Sequence, residues 1–179
     1  MKNILLLLLF STGVLAQQPG EKISWGERPL TWLDFQSIPA PQNRFHASSN
    51  TGISYSWSAR HVGEEIQFAY TVEASFDPQK SWVSEKAESL LAHEQLHFDI
   101  SELHARLLRK KLKEFKPQGQ KDLKRALRGV YEKTEAARRQ MQEQYDLVTR
   151  HGSRAEAQKS WEQKIASALR ELEKFKAKD

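Results

Sequence analysis

Residues 93–97 read His-Glu-Gln-Leu-His. In a helix, positions i and i+4 lie about 40° apart around the axis and about 6 Å along it, so the imidazoles of His93 and His97 converge on one point. Two convergent imidazoles suit one Zn²⁺. Glu94, about 100° from His93, falls beside such an ion rather than on it. From there it can take a proton from a water that the metal has acidified to near neutrality, and that water can attack a polarised carbonyl. Random placement of the six histidines and seventeen glutamates gives only ~0.02 expected copies of the pattern, so coincidence is a poor explanation.

The surrounding residues agree with this chemistry. Leu96, Ile100, Leu103, Leu107 and Phe115 fall within about 80° of His93, which puts the histidines on an inward face where unpartnered imidazoles are costly. The chain has no cysteine, so thiolate zinc sites, thiol nucleophiles and disulfides are excluded, and any metal must be held by His, Asp or Glu. His104 shares the face but stands about 10 Å beyond His97, too far to bind the same ion; it reads as a core residue or a support for a ligand.

The third ligand must come from elsewhere in the chain. A second helix folded back antiparallel places residues 140–144 level with the motif, and Glu143, Asp146 and His151 follow. Axial level favours Glu143 or Asp146. Gly152 marks a helix end at which His151 can swing inward, and His151 is preferred over Asp146 on that ground. Asp146 would then orient a ligand imidazole, and Tyr145 could steady an oxyanion.

Three long helices carry these residues. The first should run from Ser84, its N-cap, to Phe115 and stop at Pro117-Gln118-Gly119; the second covers 121–150; the third covers 154–176, burying Trp161, Ile165, Leu169 and Leu172. Before residue 84 the pattern is different. Alternating apolar residues at 53–57 and 66–72 mark two half-buried strands, joined through a hairpin connection at 60–65. Residues 32–35 form a further short strand or turn. Tyr55, Trp57, Phe68 and Tyr70 supply a layer against a helix, and a sheet edge could receive an extended peptide. The class is α+β: a small N-terminal antiparallel β-sheet (17–83) followed by a helical, zincin-like body (84–179), both in one compact domain.

Residues 91–103, then Tyr145-Asp146, Thr149, His151-Gly152, Gln158 and Trp161, resemble a bacterial family of unknown function described as predicted secreted zinc-dependent proteases. Residues 32–35, 52–55 and 81–83 look like its N-terminal part. The resemblance implies that His93 and His97 bind metal and that Glu94 is the catalytic base; it maps the Tyr-Asp and His-Gly positions onto Tyr145, Asp146, His151 and Gly152. It implies no particular substrate.

Lys2, the apolar run 4–10 and Val14-Leu15-Ala16 read as a signal peptide (1–16) cleaved after Ala16, and hence as a secreted or periplasmic protein without a stable membrane anchor. The apolar run is short of the ~20 residues that span a bilayer. Residues 106–116 carry six basic residues and one acid, which read as a solvated helix face. No nucleic-acid signature accompanies them. The expected partner is a protein or peptide substrate, with an exported, non-catalytic binding module built on a structural zinc as the alternative.

Overall fold

The computed structural model describes residues 21–42, 44–63, 65–116 and 120–177; the leader and the expected stop at 117–119 lie outside them. Strands β1 (Ile23–Ser24), β2 (Ala47–Ser48), β3 (Thr51–Val62), β4 (Glu65–Phe76) and β5 (Trp82–Val83) precede helices α1 (Glu88–Glu114), α2 (Gln120–Thr149) and α3 (Ala155–Glu171). The architecture is α+β, as the patterning predicts: a small antiparallel sheet region, then three helices.

β3 and β4 form a long hairpin, with Tyr55 opposite Val72 and Trp57 opposite Tyr70. Period-2 alternation sends Ile53, Tyr55 and Trp57 to the helix side and Ser54, Ser56 and Ser58 to solvent. The strands run further than the apolar alternation because backbone pairing continues through polar residues to Val62 and Glu65. Gly63 turns the chain with φ +63°, a conformation a Cβ would strain. β1 pairs with β4, giving the order β1-β4-β3, while β2 and β5 form a separate pair. β3 has no second strand partner among the described residues.

The structure settles 32–35 in favour of the turn, and two helix boundaries differ from expectation: α3 ends at Glu171 rather than 176, with residues 173–175 in a 3₁₀ turn, and α1 begins late. Residues 32–34 form a 3₁₀ turn, because the Asp34 carboxylate accepts from the Thr31 backbone amide and is paired with Arg28. Helix α1 starts at Glu88 rather than Ser84. Ser84 instead donates through its amide and its hydroxyl to the His46 carbonyl, continuing the β2–β5 pairing and extending the chain past the point where a helix could begin.

Helix α1 is buried on two sides. Phe98, Ala105, Leu108 and Leu112 pack with Ile53, Val72, Phe76, Leu123 and Leu127. Leu96, Ile100 and Leu103 pack with Tyr145, Trp161 and Ile165 of the other helices. At about 100° per residue these two stripes lie on either side of His93 and His97, which therefore run along the seam between two cores. A seam flanked by rigid packing holds a pair of imidazoles without leaving them rotational freedom.

The basic run also departs from expectation. Arg106 is 1% exposed and Arg109 is 7% exposed. Glu102, one and two turns back, pairs with both guanidiniums at 2.9 and 3.0 Å. Arg106 further donates to the Leu169 carbonyl and Glu173, and Arg109 to the Val72 and Phe175 carbonyls. These two arginines tie α1 to β4 and to the end of the chain. Burial is tolerable because each guanidinium meets a carboxylate and backbone acceptors. His104 is a core residue, with Nδ1 at 2.9 Å from the Ile100 carbonyl, and burial holds its pKa below the ordinary imidazole value.

Candidate metal centre

His93 and His97 stand one turn apart on α1, and α2 brings Asp146 across from them. Three ligand atoms then form a nearly equilateral triangle. His93 Nε2 lies 3.2 Å from His97 Nε2, and Asp146 Oδ1 lies 3.1 Å from the former and 3.0 Å from the latter. Tetrahedral bonds of about 2.0–2.1 Å put ligand atoms about 3.3 Å apart, so the triangle has the edge length such an ion requires. Two neutral imidazoles and a carboxylate also form a donor set that suits zinc. Among the described residues, His93, His97 and Asp146 form a group of side chains that could hold a metal ion.

Electrostatics of the metal-free site follow from the same contacts. Burial would raise the Asp146 pKa, but hydrogen bonds from His93 and His97 and their charges hold it well below the usual carboxylate range. Burial likewise opposes charge on His97, yet the hydrogen bond and charge of Asp146, with Glu94 and Gln142, win and keep it above the ordinary imidazole value. The carboxylate thus gathers positive charge at one spot, held by protons or by a cation.

Each imidazole is oriented from behind. His93 Nδ1 lies 3.2 Å from Gln158 Oε1, and His97 Nδ1 bonds Gln142 Oε1. A glutamine oxygen can only accept, so the ring nitrogen facing it carries the proton; in the neutral form both rings are then protonated at Nδ1 and leave Nε2 for a ligand. Tyr145 is fully buried and stacks on His93 with centroids 4.5 Å apart. Its hydroxyl donates to Gln158 Oε1 at 2.6 Å and to the His93 carbonyl at 3.3 Å, and burial pushes its pKa well above the usual phenol range. Those bonds commit the hydroxyl to the back of His93, so Tyr145 acts here as a support for that ring rather than as a group facing the cleft.

The front of the triangle opens into a cleft of about 710 Å³. One wall is residues 44–51, the other is α2 and the turn after it, and α1 is the floor. Glu94 lines this cleft. Its Oε2 accepts from the Ser49 amide at 2.8 Å, which fixes the carboxylate, while Oε1 has no hydrogen bond among the described residues. No fully buried side-chain polar atom among those residues lacks a partner, so Oε1 is open to the cleft. One oxygen is anchored and the other is available for a proton.

His151 and Glu143 also line the cleft. His151 Nδ1 stands 3.4 Å from the same Asp146 oxygen, and its half-exposed ring leans on Phe45 with centroids 4.4 Å apart. It lies at the rim of the triangle, and Asp146 occupies the place opposite the two α1 imidazoles. The turn that carries His151 is unusual, with φ of 50°, 51° and 80° at Arg150, His151 and Gly152. Gly152 is required twice over. Its φ disfavours side chains, and a Cβ there would come within 3.1 Å of His93 Cβ. Gly152→Ala is expected to cost roughly 1–2 kcal/mol and displace the His93 ring. A several-degree fall in Tm, with weakened metal retention, would be read by calorimetry and elemental mass spectrometry. An unchanged Tm would show that the turn relaxes freely.

Gln142 and Ser49 gave no signal as site residues in the sequence. Gln142 is one turn before Asp146 on the same face of α2, which a ligand at Asp146 makes legible. Ser49 comes from a different element, and no spacing rule reaches it. Gln158 lies three residues before Trp161 on the buried face of α3.

The family model described as "Bacterial protein of unknown function (DUF922)" matches residues 34–152, more than half of the chain and a span that includes every ligand candidate. No curated protein and no solved structure matches the chain.

Proposed function

We propose that this chain, which belongs to the DUF922 family of bacterial proteins of unknown function, is an exported zinc-dependent hydrolase acting as a metallopeptidase. The observation that carries the reading is the His93–His97–Asp146 triangle at the floor of an open cleft, with the free oxygen of Glu94 beside it. A Zn²⁺ held by these three residues would act as a Lewis acid toward a carbonyl and would acidify a water. Glu94 Oε1 would accept the proton of the attacking water and pass it to the leaving amine, and the Ser49 amide would keep that carboxylate in place. Gln142 and Gln158 would hold both imidazoles in the ligating tautomer throughout. No described helix is long and apolar enough to cross a membrane; export itself is proposed from the leader.

His151, 3.4 Å from Asp146, favours a second reading. If its ring closed the fourth position, the metal would be structural and the protein a binding module. The first test is the zinc content of the purified protein beside His97→Ala, by elemental mass spectrometry. About one zinc per chain, lost in the variant, is expected. Equal and negligible zinc in both would end both readings, because the histidines would then be core residues.

A further inference from the structure

The cleft carries more cationic groups than the chemistry above uses. Arg44 lines one wall; Arg138, Arg139 and Arg150 line the other. Arg138 is matched by Glu135, which receives its guanidinium at 2.8 to 3.1 Å. Arg139 lies only within 3.9 Å of that carboxylate and is largely exposed. The side chains of Arg44 and Arg150 have no ion pair or hydrogen bond among the described residues. Against these stands Glu143 alone, since Asp146 belongs to the metal triangle and Glu94 to proton transfer. With a divalent ion in place, the cleft is therefore net positive, with cations on both walls.

Charge lining a concave site is focused by the low-dielectric walls and raises the local concentration of oppositely charged ligands. Guanidinium is also the side-chain group whose geometry best fits a carboxylate. A volume of about 710 Å³ has room for a few residues of an extended peptide. Resting on the hydrolase reading for the word substrate, we infer that the cleft selects acidic peptides, whose carboxylates are held by Arg44 on one wall and by Arg139 and Arg150 on the other.

The test uses zinc-loaded Glu94→Gln protein and fluorescein-labelled peptides of equal length, one alternating Glu and Gly, the other alternating Gln and Gly. Anisotropy titration at low ionic strength should show the Glu peptide binding about tenfold more tightly, a ratio that two or three partly exposed ion pairs can supply. The preference should shrink at about 0.5 M salt. Arg44→Gln/Arg150→Gln should bring the two peptides within about twofold of one another, at unchanged zinc content and Tm. Arg139→Gln alone, and each member of the pair alone, provide the same reading should the double variant fail to fold. Equal binding of both peptides overturns the inference. So does a preference that survives all three substitutions, because the carboxylates would then be held elsewhere. Binding of polygalacturonate in place of the Glu peptide overturns the assignment to peptides. Anisotropy with the Glu94→Gln protein is blind to turnover, so failure of the hydrolase reading is seen separately, as wild-type protein that leaves the bound peptide intact.

Discussion

Glu94→Gln should leave the metal in place and lower peptide turnover by about 10²–10⁴-fold. The glutamine amide is nearly isosteric with the carboxylate, and its oxygen can still accept from the Ser49 amide that anchors Oε2 in the native protein. What it cannot do is take a proton at the other position, where the native Oε1 opens into the cleft. Neither His93 nor His97 needs Glu94 for orientation, since Gln158 and Gln142 stand behind them. Zinc content should therefore match wild type in elemental mass spectrometry while cleavage of a fluorogenic peptide disappears. Full turnover in the variant would remove Glu94 from proton transfer.

Asp146→Ala and His151→Ala should separate sharply. Asp146 supplies the third corner of the triangle, at 3.0 and 3.1 Å from the two imidazole nitrogens. Its loss should weaken metal binding by well over the 10–100-fold that supporting residues typically contribute. His151 touches only the rim, so His151→Ala should retain about one zinc per chain. Competitive titration with a zinc chelator reads both. The reverse result would mean that His151 swings in and holds the ion. Acid should also weaken metal binding, through the imidazole rather than the carboxylate. Because the Asp146 carboxylate keeps His97 protonated above the ordinary value of 6.5, protons compete for the site from above that pH downward. The same shifts predict the stability of the metal-free protein. His97, with its pKa raised on folding, contributes stability below 6.5 that is lost as pH rises through its folded value. Asp146, with its pKa lowered, contributes above 3.8 and loses that contribution as pH falls further. The pair therefore supports the metal-free fold in mildly acidic solution, and the gain in Tm on adding zinc should widen as pH rises above that range.

The helix-bound part of this site was legible from residues alone, because it depends on local geometry. The spacing of His93, Glu94 and His97 fixes their mutual placement on any helix, and the flanking Leu96, Ile100 and Leu103 fix which way that helix faces. The alternation at 53–57 and 66–72 specifies the hairpin for the same reason: side-chain direction follows from a period of two. Asp146 and His151 were both visible as candidates, but the choice between them rests on how α2 packs on α1. A helix end can be rotated or shifted by one turn without breaking any local rule, and each turn offers a different ligand. The burial of Arg106 and Arg109 shows the same dependence. On a helical wheel they belong to a solvated basic face, yet β4 and the chain's end supply the Val72, Leu169 and Phe175 carbonyls that make burial tolerable. The chemistry available on α1, and the elements that carry it, thus follow from local periods in the chain. The groups that complete the site, Ser49 after β2, Gln142 and Asp146 on α2 and Gln158 on α3, are chosen by packing between elements distant in sequence, which no local period encodes.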